Sequence, residues 1–152
     1  SWEPTTSRAL SSGVAYPLIS IWEDADHREW LGADKVLGFG LVTRDDVIQS
    51  KPDLVRRMVN AHLKGLEFIR TNSASTIAET VLSHPKTSQQ FEGLDRSLVV
   101  SIIERIKPGF GTGCLSRSGF QVEMDLAVQY QIVKAPIPFE DFADPTFAGA
   151  CP

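Results

Sequence analysis

The sequence contains few cysteines and histidines, and it has no long apolar run. Neither His27 nor His84 has a second potential ligand at the spacing of a metal-binding motif, and His62 lies on the apolar side of a predicted helix. The sequence therefore predicts no metal site. No apolar run approaches the roughly 18 residues of a membrane-spanning helix. The two cysteines, Cys114 and Cys151, could pair in an exported protein, or stay apart and reduced.

A strong excess of one charge is also missing. The net charge is -4, and the two signs are interspersed along the 152 residues. Since a nucleic-acid-binding protein usually carries a basic patch, we predict no nucleic-acid partner. The chain has no GxSxG motif and no serine or cysteine in a recognisable nucleophile setting. The segment "GFGTG" before Cys114 lacks the lysine and hydroxyl of a phosphate-binding loop. We therefore predict that the chain is not an enzyme and needs no cofactor.

Two segments have the composition of β-strands. Residues 14–22, "VAYPLISIW", are rich in β-branched and aromatic residues, although Pro17 restricts them to an edge strand or an irregular stretch. Residues 35–42, "KVLGFGLV", form a near-continuous apolar run. Such a run predicts a strand that is central in its sheet and buried on both faces.

Helical patterns dominate the rest of the chain. Pro4 and the residues after it fit a first helical turn, and "EDADHREWL" fits a loop or a short helical turn. The strongest pattern has Ser50 as a potential cap, Pro52 in its first turn and apolar residues at helical spacing up to Ile69. Three more helices are predicted at residues 74–82, 95–106 and 118–134, the second of them capped by Asp95.

This order of elements is lopsided, with one or two strands followed by four helices. A strand buried on both faces needs neighbours on both sides, and the chain supplies few. The pattern is typical of the later part of an α/β domain whose other strands lie elsewhere.

Three motifs carry a resemblance to a known family. They are "SWEP" at the start, Lys51-Pro52-Asp53 opening a helix after "GFGLVTRDDVIQS", and "IVKAPIPFEDFADPTF" near the end. Their order and spacing over essentially the whole chain resemble the C-terminal half of a periplasmic solute-binding protein. The resemblance is to the nitrate/sulfonate/taurine and thiamine-precursor type of ABC-importer binding proteins.

The resemblance implies an α/β fold. The chain would be a partial lobe of the type II periplasmic-binding-protein fold, helix-dominated with a few sheet strands. Residues 1–34 would be the end of the second lobe and the hinge region, and residues 35–152 the returning part of the first lobe with its C-terminal helix and tail. We accordingly expect a fragment, a truncated homologue or a separately encoded half.

The resemblance also implies a function. The chain would bind a small-molecule solute by hinge closure and dock on an ABC permease, in a periplasmic or exported location with a lipid anchor as one option. Trp2 and Glu3 would lie at the ligand cleft, Trp2 stacking on the ligand and Glu3 accepting hydrogen bonds from a ligand cation or amine. Alternatively, Trp2 belongs to the core and Glu3 is a charge at a helix N-terminus.

A second hypothesis is a ligand-sensing or interaction module built from half a solute-binding fold. An enzyme of the thiamine-precursor type finds no support in these residues. Under either hypothesis, unpaired strand edges and uncovered apolar helix faces would recruit another chain. We expect a homo-oligomer or pairing with a missing N-terminal half. The alternative is a compact monomer in which residues 14–22 fold back over the core.

Overall fold

Helices make up most of the fold. The computed structural model describes residues 3–33 and 39–149. This part of the chain is 63% helical and has essentially no strands and no sheet. Its α-helices are α1 (Thr5–Ser11), α2 (Asp24–Leu31), α3 (Asp45–Ser50), α4 (Pro52–Thr71), α5 (Ala74–Ser83), α6 (Pro85–Ser88), α7 (Arg96–Ile106), α8 (Arg117–Gln129) and α9 (Phe139–Phe142).

Side-chain caps fix where three of the longer helices begin. Ser73, Asp95 and Ser116 each accept a hydrogen bond from the backbone N–H three residues later, at 3.1, 2.8 and 3.1 Å. Each bond satisfies a donor that the first helical turn would otherwise leave unpaired. The predicted cap at Asp95 is confirmed. The predicted cap at Ser50 is wrong, because Ser50 ends α3 and Lys51 precedes the first turn of α4.

The first core lies between α5 and α7. Ala78 and Val99 are fully buried at its centre. Ile77 and Ile103 complete the contact, and Phe68 from the end of α4 packs against it. α1 also packs against α7, where Arg105 contacts Ser7. The core therefore forms where apolar residues recur at helical spacing in two consecutive segments.

A second, smaller core lies between α8 and α9. The rings of Phe120 and Phe139 meet edge to face with centroids 5.4 Å apart, and Met124 and Ala143 are buried beside them. Leu115 donates its backbone N–H to the Gly149 carbonyl at 3.2 Å, which holds the C-terminal segment against the start of α8. Preceding it, Cys114 is disulfide-bonded. The other cysteine of the sequence, Cys151, lies outside the described residues.

A left-handed residue ends α8 earlier than its sequence predicts. The apolar pattern predicts helix up to Lys134, but α8 ends at Gln129. Gln131 has a φ of 57°, and Ile132 donates its N–H back to the Ala127 carbonyl at 2.8 Å. This geometry turns the chain back toward α8, which brings the following residues over the second core.

The loop before α8 passes very close to α4. Gly113 has a φ of +90°, and a Cβ atom at this position would lie 2.4 Å from a methyl group of Leu63 and 2.9 Å from one of Leu66. Only glycine accommodates both the backbone conformation and this approach. Leu66 is the one residue of α4 that the structure buries.

The predicted α/β fold is wrong for the part of the chain that the structure describes. One strand was predicted at residues 35–42, of which residues 35–38 lie outside the described residues. In the remaining part, Phe39 and Val42 are 79% and 95% exposed. In the other predicted strand, Val14, Tyr16 and Leu18 are also largely exposed. A strand satisfies its backbone only by pairing with a neighbour, whereas a helix does so within itself. Residues 14–22 and 39–42 find no neighbouring strand in the described ranges, and they are irregular.

Candidate functional site

A charged cluster lies where α1 meets α7. The Glu3 carboxylate forms an ion pair with the Arg105 guanidinium. Arg105 also donates from Nη2 to the Ser7 hydroxyl at 3.0 Å. Ser7 is 5% exposed, so the cluster is partly shielded from water. These three residues bring together one anion, one cation and one hydroxyl, which are the groups that bind small polar ligands.

Local helix chemistry positions Glu3 and Ser7. Pro4 immediately precedes α1, and Glu3 comes one residue before it. The Glu3 Oε2 atom accepts the backbone N–H of Ser7 at 3.2 Å, one of the first-turn donors that no helical carbonyl can reach. The carboxylate also lies at the positive end of the α1 dipole. Arg105 comes from the last turn of α7, which packs against α1.

Burial makes this ion pair different from the surface pairs of the chain. The side chains of Arg105 and Glu3 are 26% and 18% exposed, whereas those of Arg44 and Asp46 are 81% and 64% exposed. Burial lowers the pKa of the Arg105 guanidinium from its ordinary value. Arg105 nevertheless stays cationic, because guanidinium is not deprotonated in proteins.

The cluster leaves one polar atom without a partner. The ion pair joins Glu3 Oε1 to Arg105 Nη2, whereas Arg105 Nε is buried and has no hydrogen-bond partner within the described part of the chain. A buried polar group without a partner costs roughly 1–3 kcal/mol, and more if it is charged. A ligand atom that accepted a hydrogen bond from Arg105 Nε would therefore remove this cost.

The segment that follows Arg105 carries one further cation and contacts one indole ring. The Lys107 ammonium donates to the Asn72 carbonyl at 2.6 Å, so it is committed to the end of α4. Trp22 packs on Gly109, where a Cβ atom would lie 2.4 Å from its ring. Trp22 therefore supplies an indole near the C-terminal end of α7, where it can report changes there by fluorescence.

The structure bears only on part of the predicted ligand site. Trp2 lies outside the described residues, so its predicted stacking role stays a prediction. Glu3 makes the helix-terminal contact of the alternative interpretation, but its predicted ligand role is not thereby tested. Sequence reasoning missed Arg105 and Ser7. The only available signal was a basic residue ending the apolar stretch "SLVVSIIERI", which also fits an ordinary helix C-terminus.

Other kinds of site find little support in residues 3–33 and 39–149. No group of three or more histidine, cysteine, aspartate or glutamate side chains in these ranges could hold a metal ion. Of the helices they form, none combines the length and the apolar character needed to cross a bilayer. An open depression of about 530 Å³ beside α6 is lined by Ser88, Gln89 and Glu92, which are all polar residues.

Comparison with known proteins gives no relative. No protein-family model, no curated protein and no solved structure matches this chain. Any function must therefore be argued from the residues themselves.

Proposed function

We propose that this chain is a small-solute-binding component, or part of one, of an ABC-type importer of the nitrate/sulfonate/taurine-like class. The observation that carries the proposal is the partly buried Glu3–Arg105 pair, in which Arg105 Nε has no partner among the described residues. Guanidinium binds oxyanions such as sulfonate through two parallel hydrogen bonds. The proposal rests on this chemistry and on the motif order, and it does not use the α/β fold corrected above.

The pair suits a ligand that carries both charges. In the ion pair, the charges of Glu3 and Arg105 neutralise each other. A zwitterion with a sulfonate and an ammonium would replace that contact with two, one to each side chain. Its two charges would offset the cost of separating Glu3 from Arg105. A purely anionic ligand would instead leave the Glu3 carboxylate partly buried without a cation.

The disulfide supports the location that the proposal requires. Cys114 is disulfide-bonded. Disulfides persist mainly in oxidising compartments, among them the bacterial periplasm, and are rare in the cytosol. We therefore propose a periplasmic or exported protein whose partners are a small solute and an ABC permease.

The test uses three ligands with a two-carbon chain: taurine carries both charges, ethanesulfonate only the negative charge and ethanolammonium only the positive charge. Protein from the native host is titrated with each ligand while Trp fluorescence or heat is recorded, and its intact mass establishes which chain is assayed. We expect taurine to bind most tightly. R105M should weaken the binding of taurine and of ethanesulfonate at least tenfold.

E3Q should act in opposite directions on two ligands. It should strengthen the binding of ethanesulfonate, because Arg105 no longer has to separate from a carboxylate. It should also remove the tighter binding of taurine relative to ethanesulfonate. The control is R70M, which breaks the exposed Arg70–Glu67 pair on α4 and should change neither affinity. Absence of binding by the native-host protein, or equal affinities in wild type and R105M, would contradict the proposal.

A second candidate function is an interaction module, and exposed apolar side chains favour it. Residues 14–18 and 39–42 include exposed apolar side chains. In addition, Leu54 and Met58 on α4 are 41% and 54% exposed. Contiguous apolar surface on a soluble protein generally marks a site that another protein covers. A native complex with a protein other than a permease, together with no solute binding, would favour this function.

A further inference from the structure

A separate apolar pocket opens between α8 and α9. It has a volume of about 220 Å³ and is lined by Phe120, Glu123, Met124, Ala127, Val133, Ile137 and Phe142. None of these residues belongs to the Glu3–Arg105 cluster. An apolar cavity of about 150 Å³ is enough to hold benzene, so this one accommodates a single ring with a short arm.

Aromatic rings give the pocket its shape. Phe120 is buried, and its ring centroid lies 5.0 Å from that of Phe142, which is itself 58% exposed. The bend after Gln129 brings Val133 and Ile137 over α8 to form the opposite wall. Flat apolar walls of this kind favour an aromatic or a short aliphatic ligand group.

One lining residue is charged. Glu123 is half-buried on α8, and no lysine, arginine or histidine pairs with it in the ranges that the structure describes. The nearest arginine along α8, Arg117, pairs instead with Glu140 and stacks over the Phe139 ring at 4.4 Å. Loss of water around Glu123 raises the pKa of its carboxyl group. A half-buried carboxylate without a cation is costly, and a cationic ligand group would relieve that cost.

We propose that the pocket between α8 and α9 binds a small ammonium compound with an apolar tail, the ammonium on the Glu123 carboxylate and the tail among Phe120, Met124 and Phe142. An anionic ligand is excluded, because it would bring a second negative charge beside Glu123. This inference does not depend on the proposed importer function, since the two sites share no residue.

Two ligands of equal shape test the charge. The 152-residue chain is titrated at pH 7 with benzylammonium and with benzyl alcohol, and binding is followed by NMR chemical shifts. We expect benzylammonium to bind at least tenfold more tightly. E123Q should abolish that preference, whereas D125N, which removes an exposed carboxylate two residues away on α8, should preserve it.

A pocket-filling variant tests the location. A127L places extra atoms where the ligand would lie and should weaken both ligands. Circular dichroism melting curves establish that each variant is folded. The proposal is overturned if both ligands bind wild type equally, if the preference survives in E123Q, or if benzylammonium does not bind at millimolar concentration.

The pH dependence gives a further readout. The charged groups on the surrounding elements are Arg117, Asp125, Lys134, Glu140 and Asp141. If the ammonium contacts Glu123, benzylammonium binding should weaken as the pH falls through the pKa of that carboxyl, and the bound ligand should shift this pKa downward. Both effects should be absent in E123Q and present in D125N.

Discussion

Arg105 and Glu3 should stabilise the fold only as a pair. Removing one charge leaves the other partly buried without compensation. We expect E3Q or R105M to lower the free energy of unfolding by about 1–3 kcal/mol. The double variant should cost less than the sum of the two, because it buries no unpaired charge. Urea denaturation of the four proteins gives the coupling energy. Strict additivity would mean that the contact between α1 and α7 does not depend on this pair.

A second residue-scale prediction concerns Glu123 and pH. Burial raises the pKa of Glu123 above its ordinary value of 4.5, so the folded state holds this proton more strongly than the unfolded state. Stability should therefore fall as the pH rises from 4.5 through the raised pKa. E123Q lacks this loss. Its free energy of unfolding relative to wild type should increase between pH 4 and pH 7, as measured by urea denaturation at each pH.

D125N is the matched control for that measurement. Asp125 lies on the same helix but is exposed, and it accepts a hydrogen bond from Gln121 at 2.7 Å that asparagine can preserve. D125N shows what the loss of an exposed carboxylate on α8 does by itself. A difference between E123Q and wild type that stays constant with pH would contradict the burial of the Glu123 carboxyl.

At the scale of elements, two glycines should respond oppositely to alanine. G113A forces a side chain into a left-handed conformation and against Leu63, so we expect a loss of roughly 1–3 kcal/mol. Gly65 lies inside α4 with open space around it. G65A should stabilise by about 0.5–1 kcal/mol, because alanine favours the helix. Thermal unfolding compares the two, and a loss in both would mean that α4 tolerates no added side chain.

The helices were largely predictable because their signals are local. A cap such as Asp95 and an apolar residue every three or four positions act within one segment, so α5 and α7 begin and end close to the predicted residues. The early end of α8 depends on the left-handed conformation of Gln131, which the residue preference of glutamine does not predict. The predicted strands failed because pairing is not local. The composition of residues 14–22 favours a strand but cannot supply its neighbour.

The candidate sites were harder to predict than the helices. Glu3 was identified through motif order, but its partner Arg105 lies 102 positions further along the sequence, and only packing of α1 on α7 brings them together. Glu123 lies in a helix pattern that alternates polar and apolar residues, and its burial depends on the bend after α8. Tertiary contacts between distant segments therefore determine both sites.

For the whole molecule, exposed apolar side chains predict association. Val14, Leu18, Phe39 and Val42 are each more than three-quarters exposed. We expect the 16.7 kDa chain to form a dimer or a larger assembly at low micromolar concentration and to bind an apolar dye. Sedimentation equilibrium measures the mass. A monomer that binds no dye would contradict this prediction, and V42D should weaken the association without lowering stability.

Because the two cores occupy different pairs of helices, heat should not melt this chain in a single cooperative step. The α5–α7 core and the α8–α9 core share no buried residue. Calorimetry should then give a van't Hoff enthalpy smaller than the calorimetric enthalpy, the mark of more than one folding unit. V99A, which costs about 2 kcal/mol, should lower the melting temperature of one unit, and M124A, at roughly 2–5 kcal/mol, that of the other. A single transition that both variants shift equally would contradict this expectation. It would show that the contact between the Gly113 loop and α4 couples the two units. The ratio of the two enthalpies therefore measures how strongly α4 couples them.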